Sequence, residues 1–579
     1  LRWHDRIAKV MRGAGGMGSA VAKSMSAMSI RIEFAAVLVL GLAAFLAVAG
    51  AAPLDATSIG WLYEGDAATN YLGWAFFRAS PWSWPLAANP AYGMDIAGSV
   101  MMADANPLLA LPFKLLSPLL PAQFQYFGWW LLACFLLQAL FARAIAVRIG
   151  AQPEQRLAIA ALFLFAPCFL IRIATPGLFH ITLCGQWQIL AALWLYLSPC
   201  ISRRAIRWAA LLAIAVLTHA YLLAIVAPLW LADVLRSLLA RERPVGAIVG
   251  GAILVTGTAL LIGQLSGVFW LRRASSASAE NSMMSYGQWG FGIFKSNILS
   301  PVDAGGWSWL LPDLPSGPGE LEGFAYLGLG VLLIGAVAIV LARRTCNHLR
   351  VGPEHIPLLL VLACFAVFAV TPEAVLGAYH FHLPWPAPLI GLGNLFRSSG
   401  RFAWPLVYGA MIAICWIAIH GSSRRGGSAL LIAAAIIQIA DSSAGWRGHA
   451  ETFARPGPDW PTQLVSPFWG AAGHRYRAVR MIVPHDRPSL YRDIDRWALT
   501  YGMSTDLVYL ARYDSGAFNQ LAQRRAAELK EGRLARDTLW IADGVPTRVF
   551  ASLAIDESDF AGTVDGVAVY APGYRRTHP

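Results

Sequence analysis

The chain has 579 residues, 57% of them hydrophobic and only 13% charged, with mean hydropathy +0.53 and a formal net charge of +12. Soluble domains carry about a quarter charged residues, so this composition excludes one and describes a polytopic α-helical membrane protein. The basic excess does not argue for a nucleic-acid partner. It sits in short gaps between apolar runs, such as Arg143 and Arg148, Arg203 to Arg207, and Arg343 and Arg344, where the positive-inside bias places it.

Residues 1–31 form a basic, Gly/Ser/Met-rich segment expected at the cytoplasmic membrane surface, where anionic lipid would hold an interfacial helix. It is too long and too Arg/Lys-studded for a simple cleaved signal, so a retained first span is expected from about Ile32 to Pro53. The first external loop follows, residues 54–122. Within it Asp66–Ala79 has the apolar spacing of a helix, and Pro107–Leu120 that of a second, interfacial helix. Spans are expected at about Gln123–Val147, Arg156–Ala174 and Ile181–Leu197. Trp208–Leu235 begins and ends beside arginines and is interrupted at Thr218-His219, which predicts two shorter helices that enter and return.

Val245–Gly263 leads to a long outer loop, Gln264–Gly323, and further spans follow at about Phe324–Leu341, Ile356–Val370, Trp404–Ile419 and Ser428–Ser443. Counted from a cytoplasmic N-terminus, this gives about eleven crossings and an external C-terminus. The transmembrane domain covers 32–446, and residues 447–579, charged and carrying short β-like runs, read as a small α/β domain on the periplasmic side. None of the seven cysteines has metal-ligand spacing, and the C-terminal region has none.

The polar first loop holds the residues with most chemical meaning. Glu64 and Asp66 are two apart, so in an extended segment both carboxylates point to one side, where one serves as general base toward a hydroxyl. Capping is the rival: Asp66 and Asp104 each precede a helix and would cap its N-terminus, which spacing alone slightly favours. Arg397 and Arg401 lie four apart, as on one helical face, and suit a phosphate that accepts bidentate hydrogen bonds. Snorkelling is the equal alternative. Arg272, Arg273 and Lys295 are weaker candidates for the same work, on the expected outer side against the charge bias. His219 and Asp441 fall within apolar segments, but a helix break and a span end give them structural roles first.

Glu64-x-Asp66 after the first span, Asp104-x-Asn106-Pro107-Leu108 before an interfacial helix, and an external C-terminal domain together resemble the GT-C superfamily of integral-membrane glycosyltransferases. Glu64-Gly65-Asp66-Ala67-Ala68-Thr69 and Phe396-Arg397-x-x-Gly400-Arg401-Phe402 resemble a bacterial branch of it. The resemblance implies a polyprenyl-phosphate sugar as donor, a glycan, lipid or protein acceptor, and chemistry at the periplasmic face of a bacterial inner membrane. It implies Asp66 as catalytic base with Glu64 as fallback. Asp104 would hold the acceptor or assist a divalent cation, Mg or Mn, where one is used, and Arg397 and Arg401, with Arg272 and Lys295 behind them, would bind the donor phosphate. Two other readings stay open: a flippase or transporter for a lipid-linked glycan, and a non-catalytic membrane subunit.

Overall fold

The computed structural model describes residues 31–93, 96, 98–175, 178–198, 201–267, 290–345, 352–454, 457–509, 513, 515–545, 549–550, 553 and 556–576. The apolar runs fold as helices because, without water, only intra-segment hydrogen bonds satisfy their backbone. Among the described residues, seven helices are long and apolar enough to cross a membrane. They are Arg31–Ala49, Phe127–Arg148, Ala220–Leu239, Val245–Ser266, Pro353–Val370, Ser399–His420 and Arg424–Trp446. This is the architecture of a helical membrane protein, but eleven crossings are not reached.

Three of the expected spans are shorter or broken. Arg156–Ala174 is a pair, Pro153–Leu164 and Pro167–Ala174, bent by 48° where Pro167 cannot continue the preceding helix. Ile181–Leu197 is a 3-10 turn, Ile181–Cys184, followed by the ten-residue helix Trp187–Tyr196, about 15 Å long. Phe324–Leu341 becomes helical only from Leu329.

The expected pair around Thr218-His219 is present as α1 (Arg204–Thr218) and α2 (Ala220–Leu239), packed against each other. His219 is the extended residue between them, with φ −166°. Away from that break the pair is clamped by buried Asp233, which accepts from Trp208 Nε1 at 2.8 Å and Arg236 Nη2 at 2.9 Å and pairs with Arg204.

Two short helices shape the first loop, α3 (Asp66–Ala79) and α4 (Pro107–Leu115). Eleven of the fourteen residues of α3 are buried, so it is a core helix of the loop rather than an amphipathic one lying on lipid. It lies directly on segment 103–105. A Cβ on Gly73 would come within 2.3 Å of Ala103 Cβ, and Asn70 Nδ2 donates to Ala103 O at 2.9 Å.

The C-terminal region carries a five-stranded sheet of order β4-β3-β5-β7-β6, made of β3 (Ala478–Met481), β4 (Ser504–Thr505), β5 (Thr538–Ile541), β6 (Phe560–Val564) and β7 (Val567–Ala571). A separate hairpin, β1 (Glu373–Leu376) and β2 (Tyr379–His382), stands in the loop after the Pro353–Val370 span. Strand β3 pairs in parallel with β4 and β5. Those parallel neighbours require crossovers, which the helices α5 (Tyr491–Thr500) and α6 (Ser515–Glu531) supply.

Candidate active site at the first loop

Asp66 opens α3 at its first helical position. Gly65 is the N-cap at φ +59°, a conformation that glycine reaches without strain. No side chain caps this helix, so Asp66 is not its cap, although an acidic group in the first turn suits the helix dipole. The turn at Gly65 also removes the extended geometry expected for Glu64 and Asp66. Glu64 points to water, 81% exposed, and pairs with Arg492 at 3.1 Å. Asp66 is exposed and, among the described residues, accepts no hydrogen bond. Its lone pairs are free for a ligand.

Asp104 does not cap either. The N-cap of α4 is Asn106, left-handed at φ +52° with no side-chain cap bond, and Asp104 is itself left-handed at φ +48°. The tight turn aims the Asp104 carboxylate at two imidazoles. Its Oδ2 lies 3.5 Å from His180 Nε2, and its Oδ1 lies 3.5 Å from His219 Nε2. Both histidines are buried, whereas the Asp104 side chain is 29% exposed. Burial alone would raise the Asp104 carboxyl; once the imidazoles are protonated, His219 and His180, with Arg401, outweigh it and lower the group.

A second charged group adjoins. Glu322 Oε2 lies 2.8 Å from Arg172 Nη1 and 3.0 Å from Arg401 Nη2, and Arg172 Nη2 also donates to Glu322 O at 2.7 Å. Arg172 and Arg401 are buried, and the Arg401 guanidinium lies 4.6 Å over the Tyr221 ring. Arg401 also acts electrostatically on both Asp66 and Asp104.

The expected shared helical face for Arg397 and Arg401 is absent. Residues 399–403 form a 3-10 turn that begins after Arg397. Arg401 is committed to Glu322. Arg397 is half-buried, 5.1 Å over the Phe294 ring, and makes no ion pair among the described residues. Lys295 is buried and donates to Gly292 O at 3.1 Å, which places it in the packing of its own loop. Arg272 and Arg273 lie outside the described residues.

Asp104, His180 and His219 offer three ligand atoms within 4.8 Å of one another, the composition of a metal centre. The hydrogen bonding does not fit one. His219 Nδ1 accepts the Tyr221 backbone N–H at 3.1 Å, which caps α2. A neutral imidazole that accepts at Nδ1 carries its proton at Nε2 and has no lone pair there for an ion. That leaves one nitrogen and one carboxylate, fewer than a zinc site uses and far from the oxygen shell of Mg or Mn. In that tautomer His219 turns an N–H edge toward Asp104.

Sequence reasoning gave Asp66, Asp104, Arg397 and Arg401 but missed His180, Arg172 and Glu322, and gave His219 only a structural role. A signal existed for Arg172, a charge inside an apolar run. His219 does make the expected bond at its helix break, through Nδ1, while its other nitrogen faces the site. Asp441 is structural, as expected: its Oδ1 accepts from Ser308 Oγ at 2.8 Å and Trp309 N at 3.0 Å.

The chain matches the family described as Domain of unknown function (DUF6311) over residues 38–443, and the DUF6311 C-terminal domain over residues 468–572. It belongs to the DUF6311 family. No curated protein and no solved structure matches it.

Proposed function

We propose that the protein is a membrane glycosyltransferase that moves a sugar from a polyprenyl-phosphate donor to an acceptor hydroxyl at the periplasmic face of a bacterial inner membrane. The observation that carries this reading is that α3, which opens with Asp66, a carboxylate unbonded among the described residues, packs on the turn that sets Asp104 beside two histidines, in a chain built of apolar helices. The acceptor oxygen attacks the anomeric carbon, the bond from that carbon to the phosphate oxygen breaks, and the lipid phosphate leaves with the electron pair. Asp66 takes the hydroxyl proton.

Asp104, set between two imidazole edges, serves as a fixed acceptor for a substrate hydroxyl. Negative charge grows on the leaving phosphate. Arg397, which makes no ion pair among the described residues, and Arg401, already oriented by Glu322, stabilise that charge. The test is transfer of labelled sugar from a polyprenyl-phosphate donor by purified protein in nanodiscs, with envelope glycans compared by mass spectrometry with and without the gene. Absence of any transferred sugar across donor classes, with unchanged envelope glycans, would end this reading.

A further inference from the structure

We infer that the C-terminal domain is a built-in part of the Asp66 site, with Trp460 and Arg492 as positioning residues for the turn that carries Asp66. The geometry stands apart from the glycosyltransferase reading; only the consequence for catalysis rests on it.

The turn is held from both sides by the C-terminal region. Before it, Ile59 is bonded through both backbone groups: its N–H donates to Pro458 O at 2.9 Å, and its carbonyl accepts Trp460 Nε1 at 2.8 Å. The buried Trp460 ring also packs edge-on against Tyr63 and Tyr71. Within the turn, Arg492 Nη1 donates to Tyr63 O at 3.2 Å, and its guanidinium lies 4.4 Å over the Tyr63 ring. After it, α5, which opens with the buried Tyr491, packs against α3. Further along, Thr505 at the sheet edge takes in the loop as an added strand, with Thr505 N to Ala91 O at 2.9 Å and Gly93 N to Thr505 O at 3.0 Å.

Magnitude decides which of these contacts matters. The Glu64–Arg492 pair is mostly exposed, and such pairs contribute little. The buried indole bond and the guanidinium bond to Tyr63 O reach main chain, so they fix backbone position rather than a solvated side chain. Gly65 at φ +59° sits in open space, with nothing within 4 Å of an added Cβ. Local packing at Gly65 therefore does not hold the turn, and its neighbours must. Among the described residues, Asp66 has no hydrogen-bond partner of its own to place it.

Hydrogen-exchange mass spectrometry of the full chain in nanodiscs tests this without any activity assay. In a Trp460→Phe/Arg492→Met double variant, amides in 62–68 should exchange about tenfold faster or more, while peptides of the Phe127–Arg148 span keep the wild-type rate. Trp460→Phe alone, which removes the one indole N–H bonded to Ile59 O and is the safeguard against outright misfolding, should give a smaller acceleration in the same stretch. Unchanged exchange in 62–68, or acceleration no greater there than in the span, overturns the inference. Accelerated exchange with no sugar transfer by the wild type supports it and sinks the glycosyltransferase reading alone.

Discussion

Glu322 bridges two buried arginines, and replacing it with Gln keeps its shape while leaving the guanidinium groups of Arg172 and Arg401 facing each other uncompensated. Burial would push the Glu322 carboxyl up, but the two arginines overcome this and bring it from the ordinary 4.5 to about 2. The folded value is depressed, so the stabilisation is fully present above about 4.5 and is lost as pH falls through about 2. At about 1.36 kcal/mol per pH unit this is about 3 kcal/mol, and removing one side of a buried pair independently costs about 3–5 kcal/mol. Equilibrium unfolding in detergent should find Glu322→Gln less stable by about 3 kcal/mol at pH 7. The gap should shrink to roughly half near pH 3, because the wild type loses its carboxylate while the amide does not titrate. Equal stabilities at pH 7, or a gap that stays constant into acid, would refute the assignment.

On the proposed function, Asp66→Asn should cut sugar transfer by about 10²–10⁴-fold, the typical worth of positioned proton transfer, with an unchanged melting temperature; full transfer would remove Asp66 as base. Arg397→Ala should weaken retention of polyprenyl phosphate in a nanodisc binding assay without changing stability, since Arg397 makes no ion pair among the described residues. Gly73→Ala brings a Cβ to 2.3 Å from that of Ala103 and should lower stability by about 1–3 kcal/mol in thermal unfolding; no loss would mean that α3 moves freely on segment 103–105. EDTA should leave the melting temperature unchanged, and mass spectrometry should find less than one metal ion per chain. A stoichiometric ion whose removal lowers the melting temperature would show that His219 Nε2 is a ligand and not an N–H donor.

Apolar length and charge placement were enough to read the helical scaffold, and the helix expected over Asp66–Ala79 has those same bounds in the structure. Helix breaks were legible where chemistry marks them, as at Thr218-His219. Span number was not, because hydropathy cannot distinguish a full crossing from the bent pair at Pro167 or from the ten residues of Trp187–Tyr196. In the C-terminal region, the β-like runs at 479–483, 538–541 and 567–570 correspond to β3, β5 and β7, whereas two-residue β4 at the sheet edge left no pattern to find. The candidate residues named from the sequence were those carried by short local motifs, in the first loop and at 396–402. Asp104, His180 and His219 come from three separate stretches, and Glu322 meets Arg172 across 150 residues. No local spacing encodes such meetings.

Capping and catalysis competed for the same aspartates in the sequence, and the structure divides those roles among different residues. At α3 the cap position belongs to Gly65 and at α4 to Asn106, so neither Asp66 nor Asp104 spends its oxygens on a helix end. The side chain that does cap a helix at the site is His219, through Nδ1. That bond fixes the imidazole tautomer, and the tautomer turns the Nε2 edge into a donor toward Asp104. That arrangement sets Asp104 between two imidazole edges, while Asp66 accepts no hydrogen bond among the described residues, and this is why the proposed function gives proton removal to Asp66.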